Sequence, residues 1–236
     1  MSKILINEIS RLEKRLLTLS GCAEENLHKA VKAVTDRDRV RAQAVIAADA
    51  QIDRQEVDLE EEGLKLLALH RPVAGDLRFI VAVIKMNSDL ERIGDLAETI
   101  ARQALLLADR PEVPAPFDLQ PMAARASAMI RDTLDALIRA DVATARQVRA
   151  ADKEVDALHH ANLARVENAI RTNVEAVDAY LAYLSVSRSL ERIADHAKDI
   201  AADILYMLEG EIVRHPQKAE SDPAAGPPVD QRGLVT

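Results

Sequence analysis

Acidic residues recur four positions apart at two places in each half of this chain. The pairs are Asp49 with Asp53, Glu91 with Asp95, Asp152 with Asp156, and Glu191 with Asp195. On a helix, side chains at this spacing lie one turn apart on the same face, so two ionised carboxylates repel each other unless a cation lies between them. Carboxylate oxygens are ligands for cations such as Mg, Mn, Fe and Zn. The spacing therefore indicates two candidate metal sites, one in each half.

The later acidic pair of each half belongs to a stretch that occurs twice. Residues 90–95 read LERIGD and residues 190–195 read LERIAD, an offset of 100, and the earlier pairs match at an offset of 103. A repeat at this distance predicts two copies of one module, since solenoid repeats are only about 20 to 50 residues long.

Helical geometry assigns the residues of the repeated stretch to two faces. At about 100° per residue, one face carries the apolar residues Leu90, Ile93, Ala97 and Ile100, and another carries the acids Glu91, Asp95 and Glu98. The acids are therefore expected outside the core, at the rim of the groove between neighbouring helices. In the second copy, Asp199 supplies a further acid, and Lys198 occupies the position equivalent to Glu98.

Apolar residues recur at the helical period through most of the chain. The predicted helices span about 4–34, 38–70, 72–108, 121–139, 141–170 and 174–208. In the second helix, a buried seam is expected at seven-residue spacing: Val45, Ile52, Leu59 and Leu66. The fifth helix should bury Val155, Leu163 and Val166.

Capping residues and prolines predict where these helices begin and end. The polar cluster at 35–38 and Asp141 should cap the second and fifth helices. Pro72 and Pro121 suit first helical turns, where a missing N–H costs nothing, and Gly210 suits a C-terminal stop.

A cluster of three prolines at 111, 114 and 116 marks a boundary between modules, because proline neither continues a helix nor pairs in a sheet. The predicted fold is therefore all-α, with two tandem, pseudo-symmetric three-helix bundles at 1–110 and 111–212. Residues 213–236 are expected to form a disordered tail, since they are rich in Pro, Ala, Gly and charge.

Composition narrows the range of functions. The net charge of −8 argues against nucleic-acid binding, which requires a concentrated basic surface. A single cysteine, an N-terminus unlike a signal peptide and the lack of an 18-residue apolar run predict a cytoplasmic protein without transmembrane segments. No glycine-rich phosphate loop or nucleophile motif is present in the sequence, so we do not expect an enzyme.

The repeated LERIGD and LERIAD stretches, together with RP-x-x-x-DLR at 71–78 and Asp49 with Asp53, resemble the PhoU family over roughly residues 4–210. Members of this family are accessory proteins of the phosphate-specific transport system. The resemblance implies two three-helix bundles with surface metal clusters, commonly of iron or zinc. The chemistry of carboxylate ligands also allows Mg and Mn. The implied first-site ligands are Asp49, Asp53, Glu91 and Asp95, and those of the second site are Asp152, Asp156, Glu191 and Asp195. Glu98 and Asp199 would supplement them.

The resemblance also implies a role in phosphate signalling. Such a protein would link the ATPase of the phosphate ABC transporter to a sensor histidine kinase, restraining both the phosphate-starvation response and phosphate uptake, and it would be a homodimer or other homo-oligomer. From the residues alone two alternatives stay open. They are a carboxylate-bridged metalloenzyme, which requires buried acids in a closed pocket, and a metal-free docking protein. The three histidines beside the second set of acids, His159, His160 and His196, could complete a coordination shell.

Overall fold

The computed structural model describes residues 3–210, and every regular element in that range is helical. The helices are α1 (Lys3–Asp36), α2 (Arg39–His70), α3 (Ala74–Ala108), α4 (Gln120–Arg139), α5 (Val142–Thr172) and α6 (Val177–Glu209), with a 3-10 turn at Val174–Ala176. The predicted all-α class is confirmed. The tail predicted at 213–236 lies outside the described residues.

Two helices begin at aspartates that accept hydrogen bonds from first-turn amides. The Asp38 carboxylate accepts from the Arg41 N–H at 3.0 Å at the start of α2. Asp141 accepts from the amides of Ala143 and Thr144 at 2.9 and 3.2 Å at the start of α5. These amides have no helical acceptor of their own, so the aspartates fix where the two helices start. The predicted caps are confirmed.

Helix α3 begins two residues later than predicted. Pro72 lies in the connection between α2 and α3 rather than in the first turn, and Ala74 is the first helical residue. The connection reverses the chain by placing Arg71 and Ala74 in left-handed backbone, with φ of 47° and 49°. Pro72 lies between these two residues, so the turn takes up the segment predicted to be the first helical turn.

Helices α1, α2 and α3 pack together as a first bundle, and α4, α5 and α6 pack as a second. The seam predicted in α2 is buried throughout, at Val45, Ile52, Leu59 and Leu66. In α5, however, the predicted core residue Leu163 is 38% exposed, whereas its neighbour Asn162 is buried. The Asn162 amide donates to Ser187 Oγ of α6 at 3.2 Å, so a polar contact between helices occupies the inward position that Leu163 was predicted to fill.

The two bundles meet along α3 and α6, which run antiparallel. Lys85 Nζ lies 3.7 Å from the carboxylate of Asp203. Further along α3, the Asp89 carboxylate lies 3.0 Å from His196 Nδ1. The partner on α6 thus moves back from Asp203 to His196 as the position on α3 advances from Lys85 to Asp89. The two LERI stretches therefore lie beside each other in the middle of the contact. Helices α1 and α4 form a second contact between the bundles.

The proline-rich segment between the bundles packs against α6. The Phe117 ring contacts the Tyr183 ring edge-on, with centroids 6.4 Å apart. Arg110 forms an ion pair with Asp178 at 2.7 Å. The segment thus continues the packed structure at the start of α6. Across residues 3–210, no helix carries a stretch apolar and long enough to cross a bilayer.

Helices α2 and α3 approach closely at Gly94, the variable residue of the repeated stretch. A Cβ atom at this position would lie 3.1 Å from both Cδ1 and Cγ2 of Ile52, a fully buried side chain. At the matching positions of the second bundle, Ala194 accompanies the smaller Val155, and both are buried. The larger Ile52 is thus paired with the smaller Gly94, and the smaller Val155 with the larger Ala194. The total side-chain volume at this contact is therefore similar in the two bundles.

This matching predicts the effect of enlarging Gly94. Gly94→Ala should lower the free energy of unfolding by about 1 kcal/mol, because overpacking of about 1 to 3 kcal/mol exceeds the helix-propensity gain of about 1 kcal/mol. Ile52→Val in the same chain should relieve part of the overpacking, with a coupling energy of about 1 kcal/mol in a double-mutant cycle measured by urea unfolding.

Gly21→Ala is the matched control, since nothing lies within 4 Å of a Cβ at that helical position. It should stabilise the protein by its helix propensity alone. Strictly additive effects of Gly94→Ala and Ile52→Val would contradict the proposed volume match.

Candidate metal centre

Three aspartates meet where α2 faces α3 in the first bundle. Asp49, Asp53 and Asp95 each offer one oxygen, and these oxygens lie within 4.8 Å of one another. Asp49 and Asp53 lie one turn apart on α2, and Asp95 directly follows Gly94 on α3. A Cβ on Gly94 would lie 3.5 Å from Asp49 Oδ1, so the glycine brings the α3 backbone close to this carboxylate. The structure thus joins the Asp49–Asp53 pair to Asp95, one member of the other acidic pair.

The Asp49 carboxylate is only partly compensated within the described part of the chain, by the charge of Arg102. Its Oδ1 atom is buried without a hydrogen-bond partner. Burial raises the pKa of Asp49 to about 6, and repulsion from other acids adds to the effect: Asp53, Glu98, Asp95 and Glu91. An ionised carboxylate in this position therefore destabilises the bundle unless a positive charge is supplied.

The other two predicted first-site acids lie at the rim and have arginine partners. Arg92 contacts Glu91 at 3.3 Å and Asp95 at 2.8 Å. Arg102 contacts Glu98 at 2.6 Å. The two arginine side chains are 56% and 60% exposed, and ion pairs of this kind contribute at most about 1 kcal/mol. The arginines therefore cover the rim of the cluster but leave the buried Asp49 oxygen unpaired.

In the second bundle, the equivalent acids surround a lysine. Asp152 is 6% exposed, and its Oδ2 lies 2.5 Å from Lys198 Nζ. Lys198 also forms an ion pair with Asp195. Burial raises the pKa of Asp152, and the hydrogen bond from Lys198 opposes that shift. An ammonium group thus joins α5 to α6, whereas the first bundle has the acid Glu98 at the position of Lys198.

The remaining acids of the second set differ in position. Burial raises the pKa of Glu191, with further repulsion from Asp195, Asp156 and Asp152, so these four acids act on one another. Asp199 instead groups with Asp89 and His196 at the contact between α3 and α6, with one ligand atom from each within 4.8 Å.

Sequence reasoning missed Asp89 as a member of this cluster. The residue directly precedes the first LERI stretch, at the position where the second copy has Ser189. Such a difference between repeats was the available signal, but only the packing of α3 on α6 shows which residues Asp89 meets. The side chains of Asp89 and His196 are about one fifth exposed, at 19% and 21%.

The other two histidines proposed as ligands have different contacts. His159 Nδ1 lies 3.0 Å from Ser187 Oγ of α6. His160 Nδ1 lies 2.8 Å from the carbonyl oxygen of Asp156, one turn earlier in its own helix. Both rings are therefore already hydrogen-bonded, one across the helix contact and one along the helix.

The donor sets of the two bundles differ in how well they would fit a metal ion. Asp49, Asp53 and Asp95 offer clustered, acceptor-only oxygens, including the unpaired Oδ1 of Asp49, and such a set fits an oxygen-seeking cation. The second set holds the Lys198 ammonium between Asp152 and Asp195, which does not fit a second cation in the same place. Asp53 is exposed, so the first cluster opens to solvent rather than lining a closed pocket.

Comparison with known proteins agrees with the duplicated architecture. The family model described as the PhoU domain matches the chain twice, at residues 16–104 and 119–204. The phosphate-specific transport system accessory protein PhoU homolog of Pseudomonas aeruginosa is 35% identical over 209 residues, which cover 88% of this chain and 86% of that protein. The homologous accessory protein of Aquifex aeolicus is 34% identical over 211 residues, covering 89% of this chain and 96% of that protein.

The same similarity extends to three dimensions. The crystal structure of PhoU from Pseudomonas aeruginosa superposes with a TM-score of 0.84 at 34% identity, covering 87% of this chain and 99% of that one. The sequence match, the duplicated domain and the shared fold lead to one conclusion: this chain belongs to the PhoU family.

Proposed function

We propose that this chain is a regulatory accessory protein of a phosphate transport system, which restrains phosphate uptake and the phosphate-starvation response. The observation that carries the proposal is the similarity over 88% of the chain to proteins named as accessory proteins of the phosphate-specific transport system. Because the match includes both domains, the proposed role belongs to the whole two-bundle unit.

The proposed mode of action is that of a cytoplasmic adaptor. One surface would bind the ATPase of the phosphate ABC transporter and another a sensor histidine kinase, so that transporter state influences kinase state. Two long bundles joined side by side suit this role, since they offer extended helical faces to two partners. Homodimer formation stays a prediction from the family resemblance, and light scattering would measure it.

We further propose that the first-bundle cluster binds a metal ion, either iron or zinc, with magnesium and manganese as alternatives. Asp49, Asp53 and Asp95 would hold it, with Glu91 and Glu98 at the rim. The bound ion would supply positive charge that stabilises the facing carboxylates and would hold α2 against α3. The support for this role is the close grouping of three aspartate oxygens, together with the unpaired, buried Oδ1 of Asp49.

The two alternatives are less well supported. A carboxylate-bridged enzyme would enclose its acids in a pocket, but Asp53 is exposed and the Asp95 side chain is 39% exposed. A metal-free docking surface gains some support from Arg92 and Arg102, which already pair with the rim acids. This second alternative would be favoured if the affinity for the transporter ATPase rose at low salt and did not change when a chelator was added.

The regulatory role can be tested in a bacterium that lacks its own PhoU. Expression of this chain should restore repression of a phosphate-starvation promoter in phosphate-rich medium, because the chain would again couple transporter to kinase. The measurement is reporter activity at high phosphate, with an empty vector as control. The role would be contradicted if the promoter stayed fully derepressed although the protein was present and folded, and if the protein bound neither partner in vitro.

The raised pKa of Asp49 predicts how pH affects the metal-free protein. A folded-state pKa of about 6, above the ordinary 3.8, means that the folded state binds this proton more tightly than the unfolded state does. The resulting stabilisation of the folded state by this proton is complete below about pH 3.8 and is lost as pH rises through about 6. Asp49→Asn should therefore raise the stability of metal-free protein at pH 7.5 by about 1 kcal/mol, after allowance for solvent screening, and change it little at pH 4.

Without metal at pH 7.5, Asp49→Asn should be more stable than the wild-type chain. Added Mn²⁺ should make the wild-type chain the more stable one, because the ion would stabilise the wild-type chain and not Asp49→Asn. The measurement is the melting temperature with and without Mn²⁺ in chelator-treated protein. Glu61→Gln is the control, as Glu61 lies on the same helix but pairs with Lys65 on an exposed face. Equal stabilisation of all three proteins by Mn²⁺ would exclude Asp49 from the site.

A further inference from the structure

The two bundles carry opposite charges at one matched position next to their carboxylate clusters. Glu98 follows Asp95 by three residues on α3, and Lys198 follows Asp195 by three residues on α6, at the same offset of 100 that relates the LERI stretches. Residues three apart on a helix are neighbours on its surface, so each of these side chains can reach the cluster beside it.

Lys198 binds the two carboxylates that correspond to the central acids of the first site. Its Nζ lies 2.5 Å from Asp152 Oδ2 and also pairs with Asp195. Asp152 and Asp195 are the counterparts of Asp49 and Asp95. The Asp152 side chain is only 8% exposed, and the Lys198 side chain is 31% exposed, so the contact is largely shielded from solvent. The ammonium therefore lies between the acids of α5 and α6, on the second-bundle counterpart of the α2–α3 contact.

Glu98 has the opposite effect in the first bundle. Its charge adds to the repulsion that acts on Asp49, and its own partner, Arg102, lies one turn further along α3 on the exposed side. Near Asp49, Asp53 and Asp95, Arg92 pairs with Asp95 at the rim, and the charge of Arg102 also acts on Asp49. No described side chain donates to the buried Oδ1 of Asp49.

We propose that Lys198 takes the place of a metal ion in the second bundle, so that, of the two duplicated carboxylate sites, only the Asp49–Asp53–Asp95 cluster binds metal. This inference rests on the proposed metal binding of the first bundle and specifies which of the two duplicated sites retains it. A second cation near Asp152 would meet the Lys198 ammonium at short range, and displacing that ammonium would leave a largely buried lysine without its partners.

The consequence is a division of roles between the bundles. The contact between α5 and α6 is partly neutralised by the ammonium of its own lysine and is independent of metal supply. The contact between α2 and α3 needs a cation from solution and therefore responds to metal concentration. Metal-dependent change is thereby confined to the first bundle.

The test measures bound Mn²⁺ by equilibrium dialysis on the full chain after chelator treatment. Wild-type content sets the reference. Asp49→Asn should reduce it at least tenfold, whereas the matched change Asp152→Asn should leave it unchanged. Lys198→Glu should about double it, because that change recreates the first-bundle donor set in the second bundle. Lys198→Gln, which removes the ammonium without adding an acid, should yield a smaller increase than Lys198→Glu.

The reciprocal change, Glu98→Lys, places an ammonium beside Asp95 and should abolish Mn²⁺ binding in the first bundle. Circular dichroism and melting temperature establish that each variant is folded. If Lys198→Glu fails to fold, Glu98→Lys and Asp152→Asn still decide the question, because neither depends on that variant.

The results that overturn this inference differ from those that overturn metal binding itself. Halved Mn²⁺ content in Asp152→Asn, or unchanged content in folded Lys198→Glu, would show that Lys198 does not prevent metal binding at the second site. Either result would leave metal binding by the wild-type chain intact. A wild-type chain that binds no Mn²⁺, Fe²⁺ or Zn²⁺ would instead remove the proposed metal function and this inference with it.

Discussion

Carboxylates held together at a helix contact repel one another, and burial makes their ionised forms more costly. This constraint acts twice in the chain, at Asp49 between α2 and α3 and at Asp152 between α5 and α6. Burial is the main reason that the pKa of each is raised, and each has one buried oxygen without a partner. Because hydrophobic packing holds the helices in place, the acids cannot relieve this repulsion by moving apart. A positive charge near either contact therefore stabilises it.

The duplicated bundles share a backbone arrangement and differ in side chains that compensate one another across each contact. Gly94 is matched with Ile52 in the first bundle, and Ala194 with Val155 in the second, which conserves volume. One to two turns away from this contact, both members of a polar pair also differ between the bundles. Asn87 donates to Glu56 at 3.2 Å in the first bundle, and His159 contacts Ser187 at 3.0 Å at the matching positions of the second. The charge difference between Glu98 and Lys198 departs from this pattern, since the neighbouring aspartates are the same residue type in both bundles.

Helix α3 connects the candidate metal site to the rest of the molecule. One of its faces contributes Asp95 to the acidic cluster, and another packs against α6. A cleft of about 410 Å³ between these two helices has Asp95 and Glu98 on one side and Arg192 and His196 on the other. A change in charge at the first cluster therefore acts on residues that also border the second bundle. This shared helix gives the proposed adaptor a physical connection between its two halves.

Periodicity and duplication determined the fold class, the six helices and the buried seam from Val45 to Leu66, because an apolar stripe at helical spacing has few other ways to be buried. The acids of both candidate sites were also identifiable, because matched pairs at one offset are a property of the sequence. Tertiary structure alone decided the start of α3 at Ala74, the inward position of Asn162 in place of Leu163, and the grouping of Asp199 with Asp89 and His196. The last two features depend on which helix faces which, and Asp89 and His196, which are 107 positions apart, carry no local signal of their contact. For the same reason, the sequence showed that Lys198 differs from Glu98, but only the packing of α5 against α6 placed its ammonium on Asp152.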